Sequence, residues 1–175
     1  EGGFVVIAAR SGAADTCGMP LPPLTFACLI YPGFMSLDVV GPWQVMASAN
    51  DELSRQGRAP HYALRLLAEQ PGMVTCSAGL GLVAQAAYGD EPIAGIHTLF
   101  VPGGQGVSGQ LGNATLLRWL QQAEPLVARM GSVCSGALLL AEAGLLHGRP
   151  ATTHWERVAE FRERHPGVDL QGDRL

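Results

Sequence analysis

Apolar residues in this chain fall into short unbroken runs, and segments of helical period separate them. Leu24-Thr-Phe-Ala-Cys-Leu-Ile30 is continuous, as in a strand buried on both faces. Pro32-Gly33 breaks it, and apolar positions then recur at helical spacing from about Leu37 to Leu53, with Pro42 assigned to the first turn. Tyr62 to Glu69 and Met73 to Ser77 read as strands on either side of Pro71-Gly72, with another short strand over 80–84. His97-Thr-Leu-Phe-Val101 is a second buried run, ending in Pro102-Gly103-Gly104. Asn113 caps a predicted helix through Ala123 that has Leu116, Leu117 and Leu120 on one face. Arg129 to Val133 reads as a strand, Ser135 to Ala143 as an apolar helix, Ala151 to Thr153 as a short strand and Trp155 to Arg164 as a helix. Val168-Asp169-Leu170 opens a further strand. Buried strands alternating with helices predict an α/β fold: a three-layer sandwich with a mainly parallel, flavodoxin-like sheet between helices.

The pattern leaves two ends outside this alternation. Residues 1–23 carry Pro20, Pro22 and Pro23 and no sustained period, so they read as a flexible tail, with the domain expected over 24–175 and Met19 as a natural start. At the other end the last elements of the domain are expected beyond Leu175.

Composition narrows the class. With 47% hydrophobic and 15% charged residues the chain is not of disordered type. All 11 basic residues are arginine and the net charge is −4, which gives no electrostatic footprint for nucleic acid or an anionic membrane. No apolar run approaches the length of a membrane-spanning helix. The four cysteines (Cys17, Cys28, Cys76, Cys134) form no C-x-x-C pair, so neither a metal nor a cofactor is predicted. No secretory leader is visible, and reduced thiols in a cytoplasmic protein are expected.

The chemistry gathers at Gly131-Ser-Val-Cys-Ser-Gly-Ala137. A buried strand runs straight into a helix with Cys134 at the corner, the layout of a nucleophile elbow. A helix N-terminus there is expected to lower the thiol pKa. Cys28, inside a strand, reads as core; Cys76 stays open between core and chemistry. A parallel return through Ala151-Thr152-Thr153 brings His154 to the same sheet edge, where an imidazole holds a thiolate or shuttles protons, or else makes one local hydrogen bond. Glu156 reads as a solvated first-turn acid. The loop Pro102-Gly103-Gly104-Gln105-Gly106 opens onto that edge, with backbone N–H groups that pair with the N–H of Ser135 as an oxyanion hole, or form a simple turn. Asp38 complements the helix dipole or hydrogen-bonds the thiol. Trp43, Met46 and Trp155 read as core filling.

Tyr31-Pro-Gly-Phe, Leu37-Asp-Val-Val-Gly-Pro, Val101-Pro-Gly-Gly, Ser132-Val-Cys-Ser-Gly-Ala and Ala151-Thr-Thr-His-Trp together resemble the ThiJ/PfpI superfamily, which has the class I glutamine amidotransferase-like fold. Two branches are similar: isonitrile hydratase, and the amidase-like N-terminal domain of GlxA-type AraC-family transcriptional regulators. Asp38 to Asn50 and Leu67-Ala-Glu-Gln-Pro-Gly72 look more like the regulators. The resemblance implies Cys134 as nucleophile, Asp38 as the acid beside it, His154 near the pocket, and Gly104 and Ser135 at the oxyanion positions. It also implies a homodimer, and DNA contact only through a domain absent from this chain. Ser135 stands where the hydratase motif has Thr. The expected function is therefore sensing of a small molecule near Cys134. A Cys-dependent hydratase or amidohydrolase is the alternative, and reversible thiol oxidation a third reading.

Overall fold

The computed structural model describes residues 4–9 and 22–172. Its main sheet has six strands in the order β1-β8-β7-β2-β3-β6. The strands are β1 (Phe4–Ala9), β2 (Leu24–Leu29), β3 (Tyr62–Ala68), β6 (Ala86–Ala87), β7 (Ile96–Val101) and β8 (Arg129–Val133). β2 pairs in parallel with β3 and β7, β7 with β8, and β3 with β6. Apolar side chains cover both faces of the central strands, which explains their unbroken hydrophobic runs: Ala27, Cys28, Leu29, Leu67, Leu99 and Val101 are almost wholly enclosed. The parallel α/β architecture is as expected.

Helix α1 (Ser36–Arg55) follows β2, and α2 (Val107–Gln110) and α3 (Ala114–Ala123) follow β7. α4 (Ala137–Glu142) follows β8, and α5 (Val158–Arg164) lies near the end. The Asn113 cap is formed, its Oδ1 accepting the Leu116 N–H at 3.1 Å, and Leu116, Trp119, Leu120 and Ala123 bury one face of α3. The antiparallel pair β4 (Gly72–Thr75) and β5 (Gly81–Ala84) stands apart from the main sheet. Among the described residues no helix is long and apolar enough to cross a membrane.

Several expectations change. The sheet includes β1, which pairs antiparallel with β8 and comes from the stretch before residue 24 that the sequence places outside the domain. Residues 10–21 of that stretch lie outside the described residues. α1 begins at Ser36, which makes Pro42 its seventh residue, in the second turn and not the first, where it offers no N–H to the Asp38 carbonyl. The strand expected at 151–153 is only β9 (Pro150–Ala151), paired with β10 (Asp169–Leu170) in a separate sheet. The outer edge of β8 that it would need is taken by β1. The helices predicted from Ser135 and Trp155 both open with a three-residue 3₁₀ turn, Cys134–Gly136 and Trp155–Arg157.

Candidate functional site

The loops after β2, β7 and β8 meet at the carboxyl end of the parallel strands, where ligands bind in open α/β sheets. At the end of β8, Val133 is extended, and Cys134 then turns sharply to φ +55°. Cys134 is the one non-glycine residue with positive φ among the described residues. A side chain held there stores about 1–3 kcal/mol of strain, which only a surrounding structure that over-determines it will maintain. Two glycines do so. A Cβ on Gly136 would lie 2.4 Å from the Val101 carbonyl oxygen, and one on Gly103 would lie 2.6 Å from the Ser135 nitrogen and 2.9 Å from the Cys134 Cβ. The elbow is thus locked against the loop after β7, and the Cys134 thiol is half-buried at its tip.

Asp38, in the first turn of α1, reaches across 65 residues of sequence to this loop: its Oδ2 accepts the Gly103 N–H at 2.9 Å. Burial pushes the Asp38 carboxyl above its ordinary value, opposed by that hydrogen bond and by the positive charge available on His154. Burial and then the Asp38 charge push the Cys134 thiol up, against hydrogen bonds from the Ser135 N–H and hydroxyl and the charge of Arg157. This direction corrects the sequence expectation of a lowered thiol pKa. The turn behind Cys134 is a short 3₁₀ segment with little dipole, and desolvation with a neighbouring carboxylate outweighs it.

The expected oxyanion donors are already engaged. The Gly104 N–H donates to Ser135 Oγ at 3.0 Å, the Gly103 N–H to Asp38, and the Ser135 N–H faces the thiol. His154 lies where the chain returns to the elbow. The Thr153 hydroxyl donates to the Cys134 carbonyl at 3.3 Å, and the His154 Nδ1 accepts the Glu156 N–H at 3.3 Å. The imidazole therefore caps a local turn and acts electrostatically on Asp38. Glu156 is 61% exposed at its side chain and 3.9 Å from Nδ1, a solvated acid as read.

Three contributors were not singled out for a role from sequence. Tyr31, buried beneath the loop, donates its hydroxyl to the carbonyls of Pro102 and Gly103. Thr153 and Arg157 are the others; Tyr31 and Thr153 stand inside motifs quoted above, whereas Arg157 has no signal in the sequence. Cys28 is fully enclosed, with its thiol pushed far up by burial, as expected of core. Cys76 is covered, yet hydrogen bonds from Ala78, Leu80 and Ser36 outweigh desolvation and hold its thiol below the ordinary value. Trp43 and Met46 pack on the core as read, but Trp155 is 66% exposed and lies against the His154 ring instead. A cavity of about 260 Å³ opens beside Tyr31, lined by Leu29, Ile30, Glu69, Met73 and Tyr88; Cys134 does not line it.

The chain is 33% identical over 132 residues to an isonitrile hydratase of Pseudomonas putida, a match covering 75% of this chain and 53% of that protein. It is 32% identical over 145 residues to the HTH-type transcriptional regulator CdhR of Pseudomonas aeruginosa, covering 83% of this chain and 41% of the regulator. The chain thus spans about half or less of these two relatives. Among solved structures, a ThiJ/PfpI family protein from Pseudomonas syringae superposes with a TM-score of 0.71 at 27% identity, covering 90% of this chain and 65% of that one. Residues 25–168, which hold every residue of the site described above, match the DJ-1/PfpI family, and the chain belongs to it.

Proposed function

We propose that this chain is the ligand-sensing domain of a transcriptional regulator, binding a small metabolite near Cys134. The observation that carries this reading is an elbow kept under strain around a thiol that is held toward its neutral form. A nucleophile in turnover calls for a depressed pKa and open oxyanion donors. Here Gly103 and Gly104 already direct their N–H groups to protein oxygens. A ligand that offers better acceptors exchanges these bonds and shifts the loop, which is how binding selects one of two conformations. HTH-type regulators among the relatives support the reading. DNA contact then belongs to another domain of the whole protein. A homodimer supplies the second arrangement, and the exposed α1 side chains Leu37 (73%) and Val45 (63%) suit such a contact.

The alternative is a Cys-dependent hydratase, favoured by the isonitrile hydratase relative and by a raised Asp38 carboxyl suited to general acid–base work. A thermal-shift screen of small metabolites tests sensing. A ligand at a hundred times its Kd stabilises by about 2.7 kcal/mol, so Tm is expected to rise by roughly 5–10 °C. The rise should vanish in Cys134→Ala; a rise that survives in this variant places the ligand elsewhere and refutes the reading.

A further inference from the structure

The Cys134 site has two walls. On one side the loop Pro102–Gly106 runs into α2, which carries Ser108. On the other, Thr153 holds the Cys134 carbonyl, and the chain turns through His154 into the 3₁₀ segment that ends at Arg157. Arg157 bridges them. Its own N–H donates to the His154 carbonyl at 2.8 Å. Its Nε and Nη2 donate to the two oxygens of Glu160 at 2.6 and 3.1 Å, a bidentate fork that fixes the planar group. Nη2 also donates to Ser108 Oγ at 3.2 Å, across 49 residues of sequence. The side chain is only 20% exposed, so its charge is less screened than that of a surface arginine.

We infer that Arg157 is a positioning residue of this site: clamped by Glu160 and Ser108, it ties the turn that follows His154 to the loop and helix after β7, and so holds the two walls of the Cys134 elbow at a fixed spacing. The inference rests on Cys134 as the centre of the site and deepens that reading. Asp38 from α1 opposes the thiolate, Tyr31 lies beneath it with its hydroxyl un-ionised, and His154 acts through Asp38. Against burial and the Asp38 charge stand the Ser135 N–H and hydroxyl and then the Arg157 charge, so a displaced guanidinium is read at the thiol.

The test is the pH profile of Cys134 alkylation by iodoacetamide on the intact chain, with peptide mass spectrometry separating Cys134 from Cys76. For Arg157→Gln the midpoint moves up and alkylation at neutral pH slows about twofold, the scale of a partly screened charge pair. Arg157→Lys keeps the charge and recovers most of the rate. Ser108→Ala, a surface change, loosens the clamp and moves the midpoint the same way by less. An Arg157→Gln or Ser108→Ala profile superimposable on wild type overturns the inference, as does an Arg157→Lys profile as impaired as that of Arg157→Gln. No ligand enters the measurement, so its outcome is independent of whether Cys134 binds a metabolite.

Discussion

Replacing Asp38 with asparagine isolates the strongest electrostatic coupling in the site. The side chain keeps an oxygen to accept the Gly103 N–H, so the loop retains its anchor while the buried charge disappears. Asp38 reaches Gly103, and Gly103 abuts Cys134; two unit charges about 5–10 Å apart, with an effective dielectric between about 20 and 80, repel by roughly 0.4–3.3 kcal/mol. Solvent screening of two half-buried groups favours the lower end. The midpoint of Cys134 alkylation is therefore expected to fall by about 0.5–1 pH, given 1.36 kcal/mol per pH. A more acidic thiolate is also a weaker nucleophile, so the rate at neutral pH rises only about two- to fourfold. The same variant has a second signature. Burial raises the Asp38 carboxyl in the fold, so the fold prefers its protonated form. The stability this group lends is present below its unfolded value and is lost as pH rises through the folded one. Asp38→Asn should match wild type in acid and become relatively more stable toward neutral pH, as read by urea midpoints. A midpoint of alkylation that stays put or moves up, or a stability gap that widens in acid, refutes this reasoning.

Other consequences follow from packing. Gly136→Ala drives a methyl group into the Val101 and Pro102 carbonyls at 2.4 and 2.7 Å, where only backbone can yield. A loss of about 1–3 kcal/mol is expected in urea unfolding, and an unchanged midpoint would contradict the locked elbow. Tyr31→Phe removes a buried donor and leaves the Pro102 and Gly103 carbonyls less satisfied, for about 1–3 kcal/mol and faster amide exchange in residues 102–106; unaltered exchange would show that the hydroxyl does not hold the loop. Asn113→Ala deletes the α3 cap and should lose about 0.5–2 kcal/mol without altering Cys134 alkylation, which separates helix stability from the site.

Much of this arrangement was legible where the chain is locally consistent. β2 and β7 are visible because strands covered on both faces carry near-continuous apolar runs, Phe26–Leu29 and Leu99–Val101, and Asn113 because an N-cap is a local event. Gly131–Ala137 announced the elbow because small residues are the condition for so tight a turn. What was hidden depends on partners far along the sequence. β9 is displaced from the main sheet by β1, which lies more than a hundred residues earlier in a stretch whose prolines and missing period predict a tail. The direction of the thiol pKa is hidden because the helix terminus is adjacent in sequence, whereas the burial and the Asp38 carboxylate that oppose it come from elsewhere. The Gly103 and Gly104 N–H groups looked open because their acceptors, Asp38 and Ser135, sit 65 and 31 residues away. Residue type alone predicts a core position for Trp155, but a 3₁₀ turn after His154 faces it outward.

Sensing and catalysis part most cleanly on one assay: formation of an N-substituted formamide from a simple alkyl isonitrile by the wild-type chain and by Cys134→Ala. With the thiol held neutral and the loop N–H groups committed, both proteins should produce formamide at the same background rate. Saturable turnover by wild type that disappears in Cys134→Ala would make this an enzyme and contradict the account.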